Sequence, residues 1–335
     1  MTKGRPTTIF EVAHAAGVSL GTASKAMNGN GRISLATRER VLQAAKTLGF
    51  RPNPIARGLI TGRSSTVGMI MVDSMTHRIA LPIMLGAESA LAEIELSMIS
   101  ADARGDVERG IALAHTLAAR KVDGILIVGD NNARTRSISQ LVDLPVVYVY
   151  GESTDETDVV HMPDDRQGAG LAVEHLVNSG RRKLLHVTGP RRATAVAQRV
   201  KGLQAHLRGH DLRLLAPTCY GAWSQRWARS AALEIITAFP DVDGIVCGSD
   251  QIASGVVTAI ADLGRRIPDD IAVTGYDNWA VFAEETEPAL TTIDMCLEDL
   301  GASAARELFA IIDGNARPSG LIYHACELVI RGSAP

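Results

Sequence analysis

The side chains best placed for chemistry, by type and spacing, are the basic ones, because they are crowded into one end of the chain. From Met1 to Arg63 there are ten lysines and arginines against two acids, Glu11 and Glu39, a charge of +8; the other residues carry −11, and the whole chain −3. A basic head on an acidic body suits phosphate neutralisation, in which each contact releases condensed counterions and adds sequence-independent affinity. Acid–base catalysis has less support. The tandem acids Asp164-Asp165 and Asp269-Asp270 are adjacent in sequence, which does not set two carboxyls on either side of a substrate. Such pairs more often cap helices or turns. No strand pattern is followed by a nucleophile elbow, a Gly-Lys-Ser/Thr phosphate loop or a dinucleotide glycine fingerprint. Cys219, Cys247, Cys296 and Cys326 lie far apart with no metal-type spacing, so reduced, mostly buried thiols are expected. Neither metal, cofactor nor catalytic residue is expected.

The elements that position the basic residues can be read locally. Thr8 is placed to cap a helix with Ile9, Val12, Ala13 and Ala16 on one face and Gly17 at its end. Ser19 opens a second helix with Ala23, Ala26 and Met27 inward, leaving Gly21, Thr22, Ser24, Lys25 and Asn28 outward. Ser34 opens a third, with Val41, Leu42, Ala45 and Leu48 inward and Gly49 after its end. This is a helix-turn-helix with a supporting helix, whose second helix has a short polar face suited to a major groove. Further on, Asn53 and Pro54 are a cap and first position for a short helix over 54–59, too short to be stable alone and weakened by Gly58. From Thr66 the pattern changes to continuous apolar runs alternating with helical stretches. Strands are expected at 67–73, 96–102, 124–130, 145–150, 183–189, 244–250 and 271–277. Such runs indicate parallel sheets covered on both faces, here two α/β units in series facing across a cleft.

The stretches TTIFEVAHAAGVSLGTASKAMNG and RISLATRERVLQAAKTLGFRPNPIARGL resemble the head of the lactose-repressor (LacI/GalR) family. The resemblance implies that Leu20 and Gly21 sit where the family reads bases, with Ser19, Thr22, Ser24, Asn28 and Arg32 among its DNA contacts and Lys25 in place of a frequent base-reading arginine. Gly21 departs from the pattern, having no side chain to read with, and Leu20 offers only apolar contact to a thymine methyl. The resemblance also makes 54–59 a hinge helix that enters the minor groove, with Asn53, Ala56 and Leu59 facing DNA and Leu59 as the wedge. The body motifs DDRQGAGLAVEHLVNSGRRKLLHVTGP, CGSDQIASGV and LGRRIPDDIAVTGYDNWAVF are similar to the same family and to periplasmic sugar-binding proteins.

The organisation so implied is an all-α helix-turn-helix head (1–50), a hinge helix and linker (51–65), and an α/β periplasmic-binding-protein-like body (66–335) of two doubly wound parallel-sheet lobes. Lobe 1 is expected at 66–162 and 293–320, lobe 2 at 163–292 and 321–335, with crossings near 162, 292 and 320. By resemblance, Arg199 clamps ligand hydroxyls or carboxylates and Asp277 accepts ligand hydroxyls. Trp223 and Asp250 supply stacking and polar support, and Asp73 and His77 form the lobe 1 rim, which lacks the family's aromatic residues. The expected function is a DNA-binding transcription regulator, a repressor, that answers to a sugar-like effector, pairs as a homodimer or tetramer on a roughly palindromic duplex and does not engage membranes. The rival readings are an enzyme and a sugar-transport receptor. Against the receptor stand the basic head and the absence of a basic-then-apolar leader pattern, which also points to the cytoplasm.

Overall fold

A computed structural model describes residues 7–27, 33–50, 63–72, 77–130, 134–315 and 319–335. The chain divides into two compact units, Met1–Ser65 and Thr66–Pro335.

In the first unit, local capping sets the helix boundaries. The Glu11 carboxylate accepts from the backbone N–H of Thr8 at 2.6 Å and from its hydroxyl at 3.1 Å, opening α1 (Ile9–Ala15). Ser19 Oγ accepts from the N–H of Thr22 at the start of α2 (Leu20–Met27), and Ser34 Oγ accepts from that of Thr37 at the start of α3 (Leu35–Thr47). Gly17 and Gly49 take left-handed φ values of +64° and +62° after α1 and α3, which L-residues adopt with strain. Val12, Ala13, Ala16, Ala23, Ala26, Val41 and Ala45 form the core. The stripe expected on α3 needs correction: Leu42 is 46% exposed and Leu48 38% exposed. Val41 and Ala45, four residues apart, own the inward face, and Leu42 stands about 100° round the helix from Val41.

The second unit holds two six-stranded sheets. The first contains β1 (Thr66–Met71), β2 (Ser97–Asp102), β3 (Gly124–Val128), β4 (Val146–Val149), β5 (Val159–Pro163) and β11 (Gly320–His324), in the order β11-β5-β4-β3-β1-β2, all parallel. The second contains β6 (Leu184–Thr188), β7 (Cys219–Tyr220), β8 (Gly244–Cys247), β9 (Ala272–Tyr276), β10 (Thr291–Asp294) and β12 (Glu327–Val329), in the order β12-β10-β9-β8-β6-β7. It is parallel except where β12 runs antiparallel to β10. In each sheet the strand order reverses beside its first strand, so the ends of β1 and β3, and of β6 and β8, flank the crevice where ligands of such sheets bind.

The seven strands expected from apolar runs are present. The other five escaped because β7 has two residues, β10 is Thr-Thr-Ile-Asp, β5 is interrupted by His161, and β11 and β12 are partly exposed edge strands. β11 also moves a boundary. It pairs with β5 from Gly320↔Val159 to His324↔Pro163, so lobe 1 continues through His324 and the third crossing falls at Ala325–Cys326, not near 320. The other crossings follow β5 and β10. After β10 the chain returns to lobe 1 as α11 (Leu297–Ile312), which packs against α4 (His77–Ala92). Two glycines permit that approach: a Cβ on Gly86 would lie 1.9 Å from the carbonyl oxygen of Glu298, and one on Gly301 would lie 2.1 Å from that of Ile83. One apolar core runs from this helix pair through Met295 and Cys326 to α6 (Asp165–Asn178) and α7 (Thr194–Gly209) of lobe 2. No described helix is long and apolar enough to cross a membrane.

Candidate DNA-reading face and interlobe cleft

On α2 the inward positions Ala23 and Ala26 leave Leu20, Gly21 and Lys25 exposed and Thr22 and Ser24 half-buried. Ser19 and Thr22 also share a hydroxyl–hydroxyl hydrogen bond at 2.9 Å, so two of the residues carried over as DNA contacts already shape the helix start. Gly17 to Gly21 spell Gly-x-Ser-x-Gly, but Ser19 follows a helix and caps another, which is not the strand-to-helix turn that exposes a nucleophile. Asn28, Arg32, Asn53, Ala56 and Leu59, with the whole expected hinge helix, lie outside the described residues, as do Asp73 and the side chain of His77.

In the body, four of the sequence-identified residues gather at the strand ends of lobe 2. Asp277 follows β9, its N–H donating to the carbonyl of Ile293 and its φ at +102°, so the backbone turns sharply there. Its carboxylate lies between two arginines. Arg78, on the first turn of α4 in lobe 1, reaches Oδ2 at 2.7 Å; Arg199, on α7, stands 3.7 Å from Oδ1. Arg199 is 3% exposed. Its Nε donates to Asp165 at 2.8 Å, one terminal nitrogen donates to the carbonyl of Gly248 at 2.7 Å, and its guanidinium lies 3.6 Å from the centre of the Tyr276 ring. Burial works against its charge, but Asp165, Tyr276 and Asp277 prevail and hold its pKa well above the usual guanidinium value.

Asp250 opens α9 (Asp250–Asp262) and is fully buried. It accepts from the Thr292 hydroxyl and, at 2.7 Å, from the N–H of Trp279. Burial, with the negative charge of Asp277 nearby, pushes its pKa up to about 7. It therefore braces the Asp277–Trp279 turn. The Trp223 ring lies over Gly189 at the end of β6, where a Cβ would come within 2.4 Å of the indole. Sequence reasoning missed Arg78, Trp279 and the partner role of Asp165. Asp164 does cap α6, accepting from the N–H groups of Arg166 and Gln167, but its neighbour Asp165 turns inward to Arg199. Of the other tandem acids, Asp270 takes Arg266. Among the described residues no cluster of three or more His, Cys, Asp or Glu could hold a metal ion.

Two buried histidines give the body a pH dependence. His186, on β6, is held near 3 by burial and by the charge of Arg199. His161, on β5, stacks on His324 at 5.1 Å and is held near 4 by burial and then by that ring. Both values lie below about 6.5, the unfolded value, so the unfolded chain binds more protons and stability is lost as pH falls from there. Each contributes about 1.4 kcal/mol per pH unit below about 6.5, whereas Asp250, raised to about 7, gains stability as pH falls through 7 and offsets about 2 kcal/mol of that loss between pH 7.5 and 5.5. From pH 7.5 to 5.5 the His186→Gln variant should lose about 1.4 kcal/mol less stability in urea than the parent chain; an identical pH dependence would exclude His186 as a source.

Residues 8–53 match the family described as bacterial regulatory proteins, lacI family, and residues 173–334 match the periplasmic binding protein-like domain. The HTH-type transcriptional regulator CelR of Thermobifida fusca is 32% identical over 346 residues, covering 99% of this chain and all of that protein. A solved complex of transcriptional regulator CelR with cellobiose has a TM-score of 0.69 at 28% identity, covering 98% of this chain and 100% of the other. The lac repressor dimer bound to operator and the anti-inducer ONPF shares the fold with a TM-score of 0.75 at 24% identity, covering 98% and 99%.

Proposed function

The chain belongs to the lacI family of bacterial regulatory proteins and is a DNA-binding transcription regulator, and from that premise we propose that it is a cytoplasmic repressor, not an enzyme, released or engaged by a sugar bound in its interlobe cleft. The observation that carries the effector assignment is Asp277, a carboxylate at a sharply turned strand end, facing the opposite lobe and braced by Asp250. A carboxylate so placed accepts hydroxyl hydrogen bonds, and the half-buried ring of Trp223 at the same crevice suits the apolar face of a sugar. Two bodies would pair to set two heads, 1–50, over the halves of a near-palindromic duplex, with 51–65 as the hinge carrying Asn53, Ala56 and Leu59 to the minor groove. Pairing is supported by Leu81 and Leu85 on α4 and Ile99 on the edge strand β2, all exposed. Sugar and DNA sites are then linked, so each ligand changes the other's affinity by one factor.

The test is a thermal-shift screen of neutral sugars, beginning with cellobiose, against the full chain and Asp277→Asn. A sugar present at 100 times its Kd stabilises the folded protein by about 2.7 kcal/mol, and the substitution should remove that shift. An equal shift in the variant would place the ligand elsewhere.

A further inference from the structure

The effector residue Asp277 already has an occupant from the chain itself. The Arg78 guanidinium crosses the cleft from lobe 1, bonds Asp277 Oδ2 at 2.7 Å and lies 4.8 Å from the centre of the Trp279 ring. The pair is well sheltered, with side chains 24% and 4% exposed, so it is screened far less than a surface ion pair. Local structure gives no reason for an arginine at this position. It stands in the first turn of α4, where the helix dipole disfavours a cation, and that turn has no acidic residue to offset it. Its partner lies 199 residues away in the other lobe. The aromatic rim that the sequence lacks is thus replaced by a cation whose target is the ligand-binding carboxylate.

We propose that Arg78 is a specificity-determining residue that holds the effector's place on Asp277 and keeps the lobes together until a ligand displaces it. This rests on the reading of the cleft as a sugar site. The guanidinium makes both an ion pair and a charge-assisted hydrogen bond with Asp277, whereas a ligand hydroxyl makes only the hydrogen bond, so a neutral ligand competes better when it brings more than one donor to the carboxylate. The site therefore favours compounds with adjacent hydroxyls over those offering a single donor. Because Arg78 competes with the ligand, the affinity gained by removing it equals the ratio of all molecules to unlatched ones, and about tenfold is expected.

The experiment uses the full chain and its Arg78→Ala and Arg78→Lys variants, with retained helicity and cooperative melting confirming the fold. A distance is read spectroscopically between labels at Arg120→Cys in lobe 1 and Arg208→Cys in lobe 2, with Cys219 and Cys296 replaced by serine. Without sugar, the distance should lengthen in Arg78→Ala and change less in Arg78→Lys; an unchanged distance in the alanine variant overturns the latch. Calorimetry with cellobiose should show about tenfold tighter binding by Arg78→Ala, whereas weaker binding makes Arg78 a ligand contact and overturns the competition. If cellobiose binds no variant but the distance lengthens, the latch stands and cellobiose fails as the effector. If cellobiose binds and the distance is unchanged, the sugar site stands and the latch fails.

Discussion

Affinity for an operator duplex falls by about three to five orders of magnitude when monovalent salt rises from about 50 to about 200 mM, if a dimer engages six to ten phosphates. The charge distribution requires a steep fall. Residues 1–63 carry +8, so a pair of heads brings enough cations to neutralise that many phosphates, while the −11 of the remaining chain repels DNA. Fluorescence anisotropy on a duplex selected with the protein, repeated across this salt range, gives the slope of log affinity against log salt. Lys25, exposed on α2, divides positioning from reading. If it pairs with phosphate, Lys25→Ala lowers the slope by about 0.9 for each phosphate that is no longer neutralised and weakens all sequences alike; if it reads a base, the slope holds and discrimination falls. A shallow slope for the intact chain would mean that the basic head does not track the backbone.

Arg199→Ala unfolds the body more easily by about 3–5 kcal/mol, because removing one partner of a buried pair leaves an uncompensated charge. Asp165 is 3% exposed and faces Arg199 at 2.8 Å, and the Gly248 carbonyl loses its donor as well. For a unit of this size the melting midpoint should drop by roughly 10 °C. The contrast is with Asp277→Asn, which keeps a side chain of similar shape between the two arginines and should move the midpoint far less. If Arg199 served only to clamp a ligand, its removal would abolish the sugar response while leaving the ligand-free midpoint within a degree or two. A large fall in the midpoint makes Arg199 a pillar of lobe 2 first, and any ligand contact an addition to that role.

Local interactions made much of this protein legible from sequence. Ser19, Ser34 and Asp164 accept from backbone N–H groups two or three residues away, and Thr8 donates to the Glu11 carboxylate three residues on, so these partners are visible within one turn of chain. Continuous apolar runs marked the long central strands for a similar reason, since burial on both faces demands apolar residues throughout. Edge strands such as β11 and β12, with one wet face and few residues, left no such run. Leu42 and Leu48 look like core residues by type, yet the packing of three short helices assigns the inside of α3 to Val41 and Ala45. The cleft was legible only in part. Asp277, Arg199, Asp250 and Trp223 were named through resemblance, but what each one holds depends on loops closed over tens to hundreds of residues. Asp165 to Arg199 spans 34 positions and Arg78 to Asp277 spans 199. A charge pair of that kind has no periodicity and no fixed spacing; it exists because two lobes with three crossings bring opposite rims together. The sequence by itself determined the three described helices of the head and the central strands, which follow from near-neighbour bonds and apolar runs, and the basic charge of the head; only the tertiary structure decided that Arg199 braces lobe 2 and that Arg78 covers Asp277.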